Sequence, residues 1–182
     1  TLESKVDHER EVISQQDNNR TFNNPVEFAR TVLNYAKSAA EALGFAPEIL
    51  ATQAALETGW GKHIMQHQDG NSSNNLFGIK ADNRWNGDRV ISQTLEFRNG
   101  VMHKEQASFR SYDSIKESIA DYLDFLQSNP RYQKALQTSD KPEEFVENLH
   151  KAGYATDPGY ADKIKRILSS DYLKDAASEQ EI

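Results

Sequence analysis

The spacing of apolar residues changes period twice along this chain, and no other feature restricts its fold so strongly. Phe28, Ala29, Val32, Leu33, Ala36, Ala39, Ala40 and Leu43 recur at helical spacing. Ile91, Gln93, Leu95 and Phe97 then alternate with Ser92, Thr94 and Glu96, which is the period of a strand. Ile115, Ile119, Tyr122, Leu123 and Leu126 return to the helical interval. The order is helices, a small antiparallel hairpin region, and helices again: a mainly α chain of the α+β class. No segment repeats at a fixed period, so a solenoid is excluded.

Local signals place the boundaries. Asn24-Pro25 starts the first strong helix and Gly44 caps its end. A second helix from Pro47 puts Leu50, Ala54 and Glu57 on one face and ends at Gly59 and Gly61. Asn99-Gly100 is a two-residue hairpin turn, and counting back from it sets Glu96 opposite His103 and Phe97 opposite Met102. Ser114-x-x-Glu117 forms a capping box for the next helix, which Asn129-Pro130 breaks. A short helix at residues 132–136, one carrying Phe145, Val146, Leu149 and Ala152 up to Gly153, and a last one from Pro158 through Leu168 follow. Residues 1–24 hold too few apolar side chains to bury a face, so they read as a flexible linker, residues 25–174 as the folded domain and 175–182 as a flexible tail.

Composition narrows the function. At 182 residues, with 37% hydrophobic and 27% charged, the chain has room for one ordinary domain. A formal charge of -7 without a Lys/Arg block argues against nucleic acid and against anionic lipid as partners. No run approaches the roughly 18 apolar residues of a membrane span. The chain has no cysteine, so disulfides, thiolate metal sites and cysteine nucleophiles are excluded. His63 and His67 stand at zinc-ligand spacing, but position 64 is Ile where a metalloprotease helix needs its glutamate, so no metal or other cofactor is expected.

Two carboxylates attract the chemistry. Glu57 interrupts an apolar stripe in the last turn of its helix, where the negative end of the helix dipole and partial burial among Leu50, Ala54 and Trp60 both raise a carboxyl pKa. It is either a solvated helix-end glutamate or a proton-holding general acid in a cleft. Glu96 is either an ordinary strand residue on the polar face or the second carboxylate that glycoside hydrolysis employs. Phe77, Trp85 and Tyr154 offer flat faces for a sugar, with Phe77 the better candidate for the core and Trp85, beside Asn86 and Gly87, the better glycan contact. Gly78 permits close backbone approach, Asn75 and Lys80 suit acetamido or carboxylate groups, and Asp157-Pro158 is sufficiently explained as a helix start.

The blocks carrying these residues resemble a known family. Ala54-Ala55-Leu56-Glu57-Thr58-Gly59-Trp60-Gly61 is similar to the signature of the bacterial peptidoglycan glucosaminidases, glycoside hydrolase family 73. Asn75-Leu76-Phe77-Gly78-Ile79-Lys80, Trp85-x-Gly87, Thr94-Leu95-Glu96 and Ala152-Gly153-Tyr154-Ala155-Thr156-Asp157-Pro158 resemble further family blocks in the same order. Within the family the likeness is strongest to the C-terminal hydrolase domain of a flagellar protein whose N-terminal domain scaffolds the rod. The resemblance implies a lysozyme-like helical lobe and a small β-hairpin lobe flanking a substrate cleft. It also implies periplasmic cleavage of the bond between N-acetylglucosamine and N-acetylmuramic acid, and flagellar rod proteins as partners of a domain missing here. It assigns Glu57 as general acid, Glu96 as the acidic residue of the β-lobe and Tyr154 as a cleft tyrosine. The role of Glu96 stays open at this stage between activating water, attacking directly and leaving that task to the substrate's acetamido group. A lytic transglycosylase, a muramidase and a non-catalytic glycan-binding scaffold are the competing functions.

Overall fold

A computed structural model of the chain describes residues 2–18 and 20–178. Its elements are α1 (Leu2–Asn18), α2 (Pro25–Ala42), α3 (Pro47–Thr58), β1 (Arg89–Arg98), β2 (Val101–Arg110) and α4 (Ile115–Ser128). A 3-10 turn (Pro130–Tyr132), α5 (Gln133–Leu136), α6 (Pro142–Lys151), α7 (Tyr160–Leu168) and α8 (Asp171–Ser178) follow. The mainly helical α+β class expected from the periodicity is the observed one.

The centre of the helical lobe is α3. Ile49, Leu50, Ala51, Thr52, Gln53, Ala54, Ala55 and Thr58 are all buried, so this helix is enclosed on nearly every side and not on one face only. It packs against α2, α6, α7 and α8. The apolar stripe of α2 buries Phe28, Ala29, Val32, Leu33, Ala36 and Ala40, while Leu43, at the helix end, is exposed. From α4 come Ile115, Ile119, Tyr122, Leu123 and Leu126, and from α6 Phe145, Val146 and Leu149. Burial of each large apolar side chain stabilises the lobe by roughly 1.5–3 kcal/mol. The caps form as the sequence requires: Asn24 Oδ1 accepts the N–H of Glu27 at 2.8 Å, and Ser114 Oγ accepts that of Glu117 at 3.2 Å.

After α3 the chain turns sharply, with Gly59, Trp60 and Gly61 at φ values of 57°, 59° and 83°. Trp60 is the costly member because a bulky side chain is rarely left-handed. Its indole packs edge-on against Tyr172 of α8, with centroids 5.4 Å apart.

The hairpin has the expected register, Glu96 facing His103 and Phe97 facing Met102, about a turn in which Asn99 and Gly100 both have positive φ. Which face is buried differs from a strand laid on a core. Ile91 and Leu95 are 72% and 52% exposed, whereas Ser92, Thr94 and Glu96 are half-buried. The polar face looks inward because it lines a groove, and only the base of the hairpin, at Val90 and Phe109, is buried. That base is held by the loop before it: Ala81 N donates to Ser108 O and Arg110 N to Ile79 O.

Both chain ends differ from the sequence reading. Residues 2–18 form a helix within the segment read as a flexible linker. Residues 4–12 are nevertheless exposed, in keeping with their shortage of apolar side chains. Asp17 is 1% exposed and accepts the N–H of Ile115 at 2.9 Å, where a carboxylate is favoured by the N-terminal end of α4. At the other end α8 adds a helix beyond Leu168 that the periodicity did not reveal. It buries Leu173 and Ala176, so order continues past residue 174 to Ser178, while residues 179–182 of the expected tail lie outside the described residues.

Candidate active site

A groove of about 890 Å³ separates the hairpin from the helical lobe. Glu57, at the end of α3, lines it from one side; Glu96, on β1, lines it from the other, and Tyr154 and Thr156 border it in the loop between α6 and α7.

Solvent reaches Glu57 through the groove, yet the walls crowd its carboxyl with protein atoms. This desolvation, followed by the negative charge of Glu96, raises its pKa to about 7. Among the described residues Glu57 has no hydrogen-bond or ion-pair partner to oppose that shift. The loop from Asn75 to Ile79 forms the nearest wall. Gly78 has φ +63°, and a Cβ on it would stand 2.9 Å from Glu57 Oε2, so a larger residue would be strained and would displace the carboxylate. Gly78 thus approaches the acid itself.

Asn75 explains how that loop holds its shape. Its side-chain amide donates to Ile79 O at 3.0 Å and Arg110 O at 2.9 Å, and its carbonyl accepts the N–H of Ile79 at 3.2 Å. With the residue 1% exposed and both amide protons engaged, the Asn75 amide is committed to shaping the loop that walls the groove. Phe77 is core as well, 2% exposed and stacked on Tyr122 with centroids 4.2 Å apart.

Glu96 has opposite surroundings. Burial works to raise its pKa, but Lys80 Nζ at 2.8 Å from Oε1, Thr156 Oγ1 at 3.0 Å from Oε2 and Thr94 outweigh it, and the net shift is downward. Lys80, anticipated as a contact for substrate, is therefore the counter-ion of the second carboxylate.

Trp85 does not line the groove. The Arg110 guanidinium lies 4.8 Å from its ring centroid, Tyr112 packs against its edge, and its indole N–H donates to Asp88 O at 2.8 Å. A Cβ on Gly87 would meet the same ring at 2.5 Å. The Trp85-x-Gly87 block is a packing unit that braces the base of the hairpin, beside the groove and not among the residues that line it.

Tyr154 does border the groove, and its ring packs near Tyr122, Tyr132 and Tyr160. Burial holds its hydroxyl well above the usual tyrosine pKa, so it stays protonated. Beneath it Tyr122 donates to Gln53 Oε1 at 2.8 Å, and Gln53 Nε2 donates to Tyr160 Oη at 2.9 Å. Gln53 was not singled out in the sequence, although an amide one turn before Glu57 on an otherwise apolar helix was a signal for it, and Tyr122 was read there only as part of the helical stripe. His63 lines the groove while His67 bonds Ser111 at 2.7 Å, so the two rings serve different places.

A helical lobe, a β-hairpin lobe and a groove with a proton-holding carboxyl opposite an ionised one define a lysozyme-like glycoside hydrolase. Residues 33–173 match the glucosaminidase family, described as mannosyl-glycoprotein endo-beta-N-acetylglucosaminidase, and the chain belongs to that family. It is 51% identical over 80% of its length to the peptidoglycan hydrolase FlgJ of Vibrio parahaemolyticus, of which the match covers 47%. Among solved structures, a mutant of a peptidoglycan hydrolase from Sphingomonas sp. A1 superposes with a TM-score of 0.78 at 37% identity, covering 85% of this chain and 99% of that one. A C-terminally truncated glycoside hydrolase domain of Salmonella typhimurium FlgJ gives 0.66, also at 37% identity, over 80% and 95%. The chain thus spans about half the length of the curated relative it matches.

Proposed function

We propose that this domain hydrolyses the glycan strand of bacterial peptidoglycan at the bond from N-acetylglucosamine to N-acetylmuramic acid. The single observation that carries the reading is Glu57, a groove carboxyl whose surroundings keep its proton to about pH 7. A general acid must hold its proton until the leaving oxygen takes it. Glu96, ionised, faces the same groove and supplies the negative charge that favours an oxocarbenium-like sugar and a nucleophilic water. Oε1 already accepts from Lys80 and Thr94, but Oε2, bonded to Thr156, keeps a second lone pair for such a water. Tyr154 borders the reacting sugar as a protonated hydroxyl.

The names of the relatives support peptidoglycan as the substrate, and the resemblance of the motif blocks to the hydrolase domain of a flagellar protein supports a flagellar setting. On that basis the domain, which includes α8 to Ser178, opens the periplasmic cell wall for rod assembly and is joined through the segment of residues 1–24 to a domain that binds rod proteins.

The test is mass spectrometry of borohydride-reduced products after incubation with purified peptidoglycan, beside Glu57→Gln. Reduced glucosamine ends that vanish in the variant are the expected result. Reduced muramic ends would make it a muramidase and anhydro-muramic ends a lytic transglycosylase. Binding to insoluble peptidoglycan with no new ends would leave only a scaffold.

A further inference from the structure

Thr156 belongs to the helical lobe but bonds to the hairpin. Its hydroxyl accepts the N–H of Phe97 at 3.1 Å and donates to Glu96 Oε2 at 3.0 Å. A hydroxyl has one proton and two lone pairs, so both contacts are satisfied at once, and the N–H of Phe97 directs the proton towards the carboxylate. A two-stranded hairpin is marginal by itself. The base of this one is tied down by the loop before β1, whereas Phe97 lies next to the strand end at the turn.

We propose that Thr156 is a positioning residue for Glu96: by gripping the carboxylate and the following peptide N–H together, it fixes where the second carboxylate stands across the groove from Glu57. The proposal rests on the reading of Glu96 as the second catalytic carboxylate. Lys80 alone does not do this work, because its flexible stem delivers charge without fixing direction, and its side chain is 52% exposed. The titratable and charged groups around Glu96 are Lys80 on Oε1, His103 across the hairpin, the Arg98–Glu105 pair on the same sheet face and Glu57 across the groove. Asp157, beside Thr156, is itself paired with Lys163. Loss of the hydroxyl leaves all of them in place and removes one donor from the carboxylate, so Glu96 takes up its proton at higher pH.

The experiment compares Thr156→Val, which keeps shape and loses both bonds, with Thr156→Ser, which keeps the hydroxyl. Steady-state kinetics on soluble peptidoglycan fragments across pH are the readout, with melting curves to establish folding. Thr156→Val is expected to lower kcat on the order of tenfold, the worth of a hydrogen bond to a charged group, with KM little changed. It should also move the acid limb of the profile to higher pH, and Thr156→Ser should restore both. Wild-type kcat in the valine variant, or a loss without a shift of the acid limb that serine fails to rescue, overturns the proposal. If valine prevents folding, Thr156→Ala carries the same expectations. Glu96→Gln separates the two ideas: wild-type turnover there removes the role of Glu96, whereas a slow Glu96→Gln beside an unaffected Thr156→Val removes only that of Thr156.

Discussion

The two walls of the groove each carry a glutamate and treat it in opposite ways. On the helical side Glu57 projects from a helix that is otherwise core, has no described partner for its charge, and is confined by a glycine loop; its pKa rises to about 7. On the hairpin side Glu96 stands among polar side chains, and Lys80 and Thr156 hold its pKa below the usual value. One chemical group keeps its proton or gives it up according to what packs around it. The anion contributes to the difference, since the charge on Glu96 helps to raise Glu57.

The most severe way to break this comparison is Glu57→Gln. Loss of a general acid lowers kcat by roughly 10²–10⁴-fold, with glycan binding retained. Stability should move the other way. A carboxyl whose folded pKa lies above its unfolded value takes up more protons when folded, so stability falls as pH rises from about 4.5 to about 7 and stays low above that. Thermal melting should therefore find Glu57→Gln more stable than wild type at pH 8, with the gap closing at pH 4. A variant that melts below wild type at pH 8 would show the native charge to be accommodated.

Gly78→Ala tests the confinement of the acid. The added Cβ meets Glu57 Oε2 and sits at positive φ, so both catalysis and stability should fall, with kcat down by on the order of 10–100-fold for a displaced reacting group. Gly44 separates the two effects, because it has nearly the same φ, +65°, and open space around its Cβ position. Gly44→Ala should cost about 1–2 kcal/mol of stability and leave kcat unchanged. Equal losses of kcat in the two variants would mean that backbone strain, and not contact with the acid, is what matters.

Much of this arrangement was legible in the sequence. Helix starts at Asn24 and Ser114 are local chemistry, and so is the hairpin register about Asn99-Gly100; local rules predict them correctly. Glu57 was visible because a carboxylate breaks an apolar pattern. What the sequence hid depends on contacts between distant segments. Asn75 and Lys80 have the right side chains to bind substrate, but Asn75 is engaged by Ile79 and Arg110 and Lys80 by Glu96. Trp85 sits in a polar stretch that invites a glycan, yet Arg110 covers its ring. The alternation in β1 located the strand but not which face turns inward, because a groove-lining strand buries its polar side. Helix α8, short and poor in large apolar residues, gives only Leu173 and Ala176 to the core, too weak a pattern to separate from a tail.

Lys80→Met is the gentlest probe of the opposite wall. It keeps the aliphatic stem and removes the cation next to Glu96, while Thr156 and Thr94 still donate to the carboxylate. A half-exposed ion pair contributes about 1 kcal/mol or less, so kcat at its optimum should fall only a few-fold. The pH profile should report more than the rate does. Without the cation Glu96 loses its proton at higher pH, so the acid limb moves up, whereas the basic limb, set by Glu57, stays near pH 7 because Glu96 is ionised there with or without Lys80. Movement of both limbs would mean that Lys80 also acts on Glu57, and the division of labour between the walls would then be shared. A shift of the acid limb alone would leave each carboxyl governed by its own wall.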